Sequence, residues 1–307
     1  MRPQWQGQER AEDKSAKRDS QNGTHSANVT VFQRQGTKKF RALVFCGRRA
    51  AIICLVRLLL VSDIHGNLEA LEACLEAAPD YDTAANLGDV VGYGASPNQV
   101  VELVRATMRI NVRGNHDRCC CGLEDTTNFN PIAADAVNWT RGELSEHNLE
   151  WLRALPSGPL HDAAWKRVQF VHGSPLEEDG YITSEFSAGA ALEFTPVHLT
   201  FFGHTHIQCA FAQRRMVTEA LTLERMPSAG AAQIAKLKLD PLMKYLVNPG
   251  SVGQPRDHDR RAAFAIYDST QHEILFYRVP YDIAGAQERI LQAGLPRGLA
   301  LRLEDGR

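Results

Sequence analysis

From residue 57 onward, short apolar runs alternate with segments whose apolar positions recur at helical spacing. RLLLVSD, beginning at Arg57, is an apolar run closed by a polar turn and predicts a buried strand. Behind it, Leu68, Leu71, Cys74 and Leu75 follow Asn67 at the spacing of an amphipathic helix. A strand through Ala84–Leu87 is expected next. Ser96 as N-cap, Pro97 in the first turn and Gln99 completing a capping box then predict a second helix, with Val100, Val101 and Val104 as its core face. Met108–Val112 predicts a further strand. Pro131–Leu155 reads as helical, with Trp139, Leu144, Leu149, Trp151 and Leu152 buried. VQFVHG, LTFFGHTH, AFAIYD and EILFYRV read as strands, and Ile283–Leu291 as a closing helix. No repeat interrupts the alternation, which predicts one α/β domain holding two packed sheets.

The pattern is absent before Val56. Residues 1–40 are polar and show no apolar period, which predicts disorder or only local order. Residues 1–55 carry eleven Lys and Arg against four Asp and Glu, so the remaining residues are acidic by nine although the whole chain is at -2. The domain is therefore expected over 56–307, with 1–55 as a basic leader. Because a GTG start codon reads as valine inside a longer frame, Val56 fits the true beginning, and the leader reads as an extension of the gene prediction. The rival reading is a basic arm that contacts an anionic partner. The neighbourhood ALVFCGRRAAIICLVRLLLV is broken by Arg48, Arg49 and Arg57 and falls short of the roughly 20 apolar residues of a membrane span. No membrane association is expected.

Seven cysteines, three of them adjacent at Cys119, Cys120 and Cys121, show no CxxC spacing. This argues against a disulfide scaffold or a thiolate metal site and for a reducing, cytoplasmic setting.

The chemistry is concentrated in short blocks that each follow an apolar run. Asp63 and His65 lie in SDIHGN, Asp89 in GDVVGYG, Asn115 in GNHD, His172 in VHGSP, and His204 and His206 in GHTH. Strand ends converge at one sheet edge, so side chains far apart in sequence can meet there. Hard oxygens and imidazole nitrogens in this ratio suit two divalent transition metals sharing one carboxylate. A pair of such ions about 3.5–4 Å apart clamps a phosphoryl group and makes hydroxide near neutral pH. Without thiolate, the set suits Mn first, with Fe, Co, Ni or Zn as alternatives.

These blocks, in this order and with NPGSVGQPRD after them, resemble the calcineurin-like metallophosphoesterases, and more narrowly their bacterial and archaeal phosphodiesterase-type branch. The resemblance runs from about Val56 to Tyr281. It implies an α/β (α+β) fold, a four-layered αββα sandwich of two mixed sheets flanked by helices, with two metals at the sheet edges. It places Asp63, His65 and His206 on one ion, Asn115, His172 and His204 on the other, and Asp89 between them with one oxygen for each. His116 resembles the catalytic histidine, expected to titrate near neutrality and to donate to the leaving oxygen or steady its charge. Gly250, Ser251 and Arg256 are expected to meet phosphate. Asp117 is left with two readings, a partner for a ligand or for the turn.

The implied activity is metal-dependent hydrolysis of a phosphodiester, or of a phosphomonoester, by attack of a metal-bound hydroxide on a small substrate. Protein phosphatases of the superfamily carry GDxVDRG in the second block; here Gly92 and Tyr93 take the places of the acid and the arginine. A nuclease and a non-catalytic scaffold of the same fold are the alternatives. The acidic domain, without a basic stripe interleaved with aromatics, argues against strong nucleic-acid affinity. A homo-oligomer remains open. The segments Cys119–Pro131 and Ser174–Thr195 are expected to shape the pocket.

Overall fold

A computed structural model of the chain describes residues 56–225 and 232–307; the leader expected over 1–55 lies outside them. The first half runs β1 (Arg57–Val61), α1 (Leu68–Ala77), β2 (Thr83–Asn86), α2 (Pro97–Thr107), β3 (Ile110–Asn111), α3 (Asn115–Cys120), α4 (Pro131–Glu143) and α5 (Glu146–Arg153). The chain continues through β4 (Val168–Phe170), α6 (Glu185–Phe194), β5 (Leu199–Phe201), β6 (Cys209–Arg214), β7 (Val217–Ala220), β8 (Glu224–Arg225) and β9 (Gln233–Lys238). It closes with β10 (Lys244–Asn248), β11 (Ala262–Asp268), β12 (Glu273–Val279), α7 (Ile283–Gln292) and α8 (Arg297–Asp305).

The strands form a seven-stranded sheet, ordered β3-β2-β1-β11-β12-β9-β8, and a five-stranded sheet, ordered β4-β5-β10-β6-β7. Both are mixed. In the first, β1, β2 and β3 are mutually parallel while β1 pairs antiparallel with β11; in the second, β4, β5 and β10 are parallel while β10 pairs antiparallel with β6.

The period of two along each strand builds four layers. Leu58 and Leu60 of β1 join Phe170, Phe201, Val247 and Phe276 in a core between the sheets. Their neighbours Leu59 and Val61 face the other way, with Leu71, Cys74, Val100, Val104 and Leu152 from the helices. Beyond the second sheet, Phe202 and Leu246 pack on Ala188, Ala191 and Leu192 of α6. This is the αββα sandwich, with helices outside both sheets. Among the described residues no helix is long and apolar enough to cross a membrane.

Local expectations met the structure unevenly. Asn67 caps α1, its side chain accepting the Ala70 N–H. Ser96 precedes α2, but the capping box is not formed: its side chain makes no cap bond, and its own N–H already donates to Gly66 O at 3.0 Å, leaving Gln99 nothing to satisfy there. The single helix expected over 131–155 is two, because Ser145 accepts the Asn148 N–H and starts α5 after a turn at Leu144. Trp139 and Trp151 are half-buried rather than core. The strand expected over 108–112 shrinks to Ile110–Asn111. Three helices were not foreseen, α3, α6 and α8. α3 spans only six residues, α6 is weakly amphipathic, and α8 follows α7 across Ala293–Pro296, where Gly294 at φ +70° marks the break.

Candidate metal centre

Six parallel strands, three in each sheet, deliver the six sequence blocks. The loops after β1, β2 and β3 carry Asp63 and His65, Asp89, and Asn115; those after β4, β5 and β10 carry His172, His204 and His206, and residues 249–257. Backbone bonds lace these loops together before any side chain is counted. Asp63 N–H donates to Gly88 O (3.0 Å) and His65 N–H to Asp89 O (2.9 Å), while Gly203 N–H donates to His172 O (2.7 Å) and Gly253 N–H to Asp63 O (3.0 Å).

Five of the seven candidate ligands turn their side chains inward from the left-handed region: Asp63, His65, Asp89, His204 and His206 have φ between 51° and 65°. For residues bearing a Cβ this costs about 1–3 kcal/mol each, so the surrounding fold must hold them there. Two glycines give the ligands room. A Cβ on Gly88, itself at φ +106°, would sit 2.5 Å from His172 Nδ1, and one on Gly114 would sit 2.1 Å from Asp89 Oδ1.

The structure brings all seven residues together. Asp63, His65, Asp89 and His206 can direct ligand atoms to one point, and Asp89, His172 and His204 to a second; all are buried. Asn115 joins the second group, its Oδ1 lying 3.3 Å from His172 Nε2. Three imidazoles are oriented by main-chain carbonyls: Nδ1 of His65 meets Val91 O (3.2 Å), of His172 Leu87 O (2.9 Å) and of His206 Gln254 O (2.6 Å). A carbonyl only accepts, so each Nδ1 carries the hydrogen and each Nε2 of a neutral ring presents a lone pair. Those lone pairs converge. Nε2 of His65 and of His206 are 3.1 Å apart, and His206 Nε2 is 3.3 Å from Asp63 Oδ1. His172 Nε2 lies 3.0 Å from His204 Nδ1 and 3.4 Å from Asp89 Oδ2. Acceptors crowded this closely in a dry site require cations, and the donor set fits two divalent ions.

Asp89 departs from expectation in one respect. Its Oδ1 accepts the His116 N–H at 2.9 Å, whereas Oδ2 alone faces both groups, 3.6 Å from His65 Nε2 and 3.4 Å from His172 Nε2. One oxygen, not one for each side, occupies the shared position.

Electrostatics follow from burial. Desolvation holds His65 and His206 well below the ordinary histidine range and His204 down to about 3, so these rings are neutral near pH 7. At His172 burial opposes charge, but the Asp89 carboxylate overrides it and raises the group to about 10; the cluster draws positive charge to this point. Asp89 is held well below the carboxylate range: burial opposes this, and His172 and His116 overcome it. Burial lifts Asp63 to about 6.

His116 is 4 % exposed and lines the cleft above the cluster, packed against His65, Tyr93 and Phe129. Its Nδ1 is buried without a partner. The titration near neutrality expected for it is overturned: burial lowers it to about 4, with Asp89 only partly opposing. Asp117 serves the turn. Its oxygens accept Val91 N–H (3.1 Å) and Gly114 N–H (3.0 Å), tying the second block to the third.

The cleft has a volume of about 540 Å³, and its walls draw on both anticipated segments, Phe129 and Asn130 from the first and Asp179 and Tyr181 from the second. Arg256 lines it. Gly250 and Ser251 do not: Ser251 Oγ donates to Asp63 O and accepts Gln254 N–H, both at 2.8 Å, so it braces the loops. Sequence reasoning missed Tyr181, whose ring lies 4.0 Å from that of His204, and Arg302, which reaches the cleft from α8. Tyr93 was visible in GDVVGYG only as a missing arginine.

Comparison with known proteins agrees with this geometry. The calcineurin-like phosphoesterase superfamily domain matches residues 56–272. An uncharacterized protein of Methanocaldococcus jannaschii is 37% identical over 256 residues, covering 80% of this chain and 97% of its own. A metallophosphoesterase from Sphaerobacter thermophilus superposes with a TM-score of 0.69 at 36% identity, over 82% of this chain and 100% of that one. A hypothetical protein from Pyrococcus horikoshii shares the fold, with a TM-score of 0.64 at 21% identity over 82% and 99%. With a buried Asp/His cluster fit for divalent ions, this is a metal-dependent phosphoesterase. The chain belongs to the calcineurin-like phosphoesterase superfamily.

Proposed function

We propose that the protein hydrolyses small phosphodiesters with two divalent ions, Mn foremost, in the cytoplasm. The observation that carries this is the convergence of imidazole lone pairs whose Nδ1–H groups are committed to carbonyls, beside Asp63 and Asp89. Asp63, His65 and His206 would hold one ion and Asn115, His172 and His204 the other, with Asp89, whose Oδ2 faces both groups, serving both. Bound there, the ions supply Lewis-acid charge for the phosphoryl group and an activated water.

The remaining roles belong to side chains. Arg256 reaches the cleft and binds a non-bridging phosphoryl oxygen as a fork. His116, neutral at pH 7, offers an N–H to the leaving oxygen, and an anionic substrate beside it raises its affinity for a proton. Phosphodiester preference over protein phosphatase chemistry is supported by Gly92. A Cβ there would lie 2.6 Å from His116 Nδ1, so the side chain of an acid has no room to grow from this position. Among the described residues Cys74, Cys119, Cys120, Cys121 and Cys209 are free, which fits a reducing compartment.

The test is hydrolysis of bis(4-nitrophenyl) phosphate by protein reconstituted with Mn, beside 4-nitrophenyl phosphate. The diester should be turned over faster, and chelation should abolish both activities. Turnover that persists in protein shown by metal analysis to be empty refutes the reading.

A further inference from the structure

Arg256 enters the cleft from a short tether. Pro255 precedes it with its φ fixed by the ring, and Gln254 Oε1 accepts from Arg256 Nη2 at 3.1 Å. The next residue, Asp257, turns the other way. Arg256 lines the cleft, whereas Asp257 lines a separate hollow together with Gln208 and Arg278. Arg278, on β12, is 5 % exposed, and all three nitrogens of its guanidinium are engaged. Nη1 donates to Asp257 Oδ1 at 3.1 Å and Nη2 to Asp257 Oδ2, a two-pronged fork. Nη1 also reaches the main-chain oxygens of Asp259 (3.3 Å) and Arg261 (3.4 Å), and Nε donates to Gln208 Oε1 at 3.0 Å. Gln208 lies just beyond His206 in the chain. One buried cation therefore ties the loop that carries Arg256 to the loop that carries two metal ligands.

A buried ion pair adds little net stability, because both charges must leave water. What the fork adds is direction: two parallel N–H···O bonds fix the plane of a carboxylate as well as its place. We propose that Arg278 is a positioning residue for phosphate binding, its grip on Asp257 setting where the Arg256 guanidinium stands relative to the metal ligands. This rests on the reading of Arg256 as a phosphate ligand. The metal ligands do not depend on the fork. The Gln208 amide also donates to Tyr277 O at 3.0 Å, and Gln254, whose carbonyl orients His206, is held separately by Ser251 Oγ. Loss of the fork should therefore cost phosphate affinity and spare the metals.

The experiment is calorimetric binding of inorganic phosphate to the Mn-loaded protein, with metal content measured beside it, for the wild type, Arg256→Gln, Asp257→Asn and the double variant. Arg256→Gln should weaken binding by about tenfold or more, the loss of one charge-assisted hydrogen bond. Asp257→Asn, similar in shape but uncharged and able to accept on one oxygen only, should weaken it severalfold with both metals retained. In the double variant the second change should add nothing, because a fork that acts through Arg256 has nothing left to position. Arg278→Lys keeps the charge without the fork and should resemble Asp257→Asn. Losses that multiply in the double variant overturn the proposal. So does wild-type phosphate affinity in Asp257→Asn and Arg278→Lys, or metal loss in step with phosphate. Unchanged binding in Arg256→Gln would instead refute Arg256 as a phosphate ligand, and this inference with it. Because binding is read without turnover, failure to cleave a nitrophenyl diester would refute the phosphodiesterase reading and leave this result standing.

Discussion

The backbone N–H of His116 donates to Oδ1 of Asp89 at 2.9 Å, so a residue whose ring lines the cleft also sets the orientation of the shared carboxylate, through its main chain and not its ring. The two tasks can therefore be separated by mutation.

His116→Ala removes the ring and leaves that bond. Both metals should be retained, while kcat for an alkyl phosphodiester falls about 10²–10⁴-fold. A nitrophenyl ester, whose leaving group needs little help, should lose less. Metal analysis beside the two rates checks this, and metal loss in step with rate would make His116 a ligand.

Asp89→Asn should weaken both ions, because Oδ2 faces both groups of ligands. Asn115→Ala, whose oxygen meets only the His172 side, should weaken mainly one. Titration of metal into each variant distinguishes these outcomes; equal, single-ion losses would remove Asp89 from the shared position.

Gly114→Ala tests the space around the carboxylate. The backbone there is extended, at φ -97°, so alanine brings no conformational strain, only a methyl group 2.1 Å from Asp89 Oδ1. Stability should fall by about 1–3 kcal/mol, as in other overpacked sites. Metal affinity should fall with it because Asp89 must move. An unchanged melting temperature with unchanged metal content would contradict the geometry.

Acid should destabilise the protein through its buried histidines. His116 is held to about 4 against an ordinary 6.5, so between these values the unfolded chain binds more protons than the folded one. Its contribution is complete above pH 6.5 and is lost as pH falls towards 4, amounting to roughly 3 kcal/mol. His65, His204 and His206 act in the same direction. His172, raised to about 10, acts oppositely: it contributes below pH 6.5 and loses that contribution as pH rises through 10. Asp63, raised to about 6, and Asp117, raised to about 7, also oppose the four lowered histidines. Melting temperatures in chelator should therefore rise from pH 4 to 6.5 and not beyond, and the slope should be smaller in His116→Ala. An equal slope would show that His116 is not desolvated in the fold.

What the amino-acid order determined by itself was which side chains could meet. Each of the seven candidate ligands ends an apolar run, and period-two burial in stretches such as Leu58–Val61 commits those runs to strands between layers. The split of Pro131–Leu155 at Ser145 was visible in principle, since Ser145 is a good cap, but the apolar spacing continued across it. What only the tertiary structure decided was direction and environment. Ser251 looked like a phosphate donor from its place in NPGSVGQPRD, yet its hydroxyl is taken by Asp63 O, a partner 188 residues away. Asp89 offers one oxygen to both groups because a helix start claims the other. His116 was expected to titrate near neutrality, and burial beside Tyr93 and Phe129 moves it to about 4. Arg302 carried no local mark at all. Residue type and strand order are local properties, but a hydrogen-bond partner or a desolvation cost depends on whatever distant segment packs alongside, and that is settled only when the layers close.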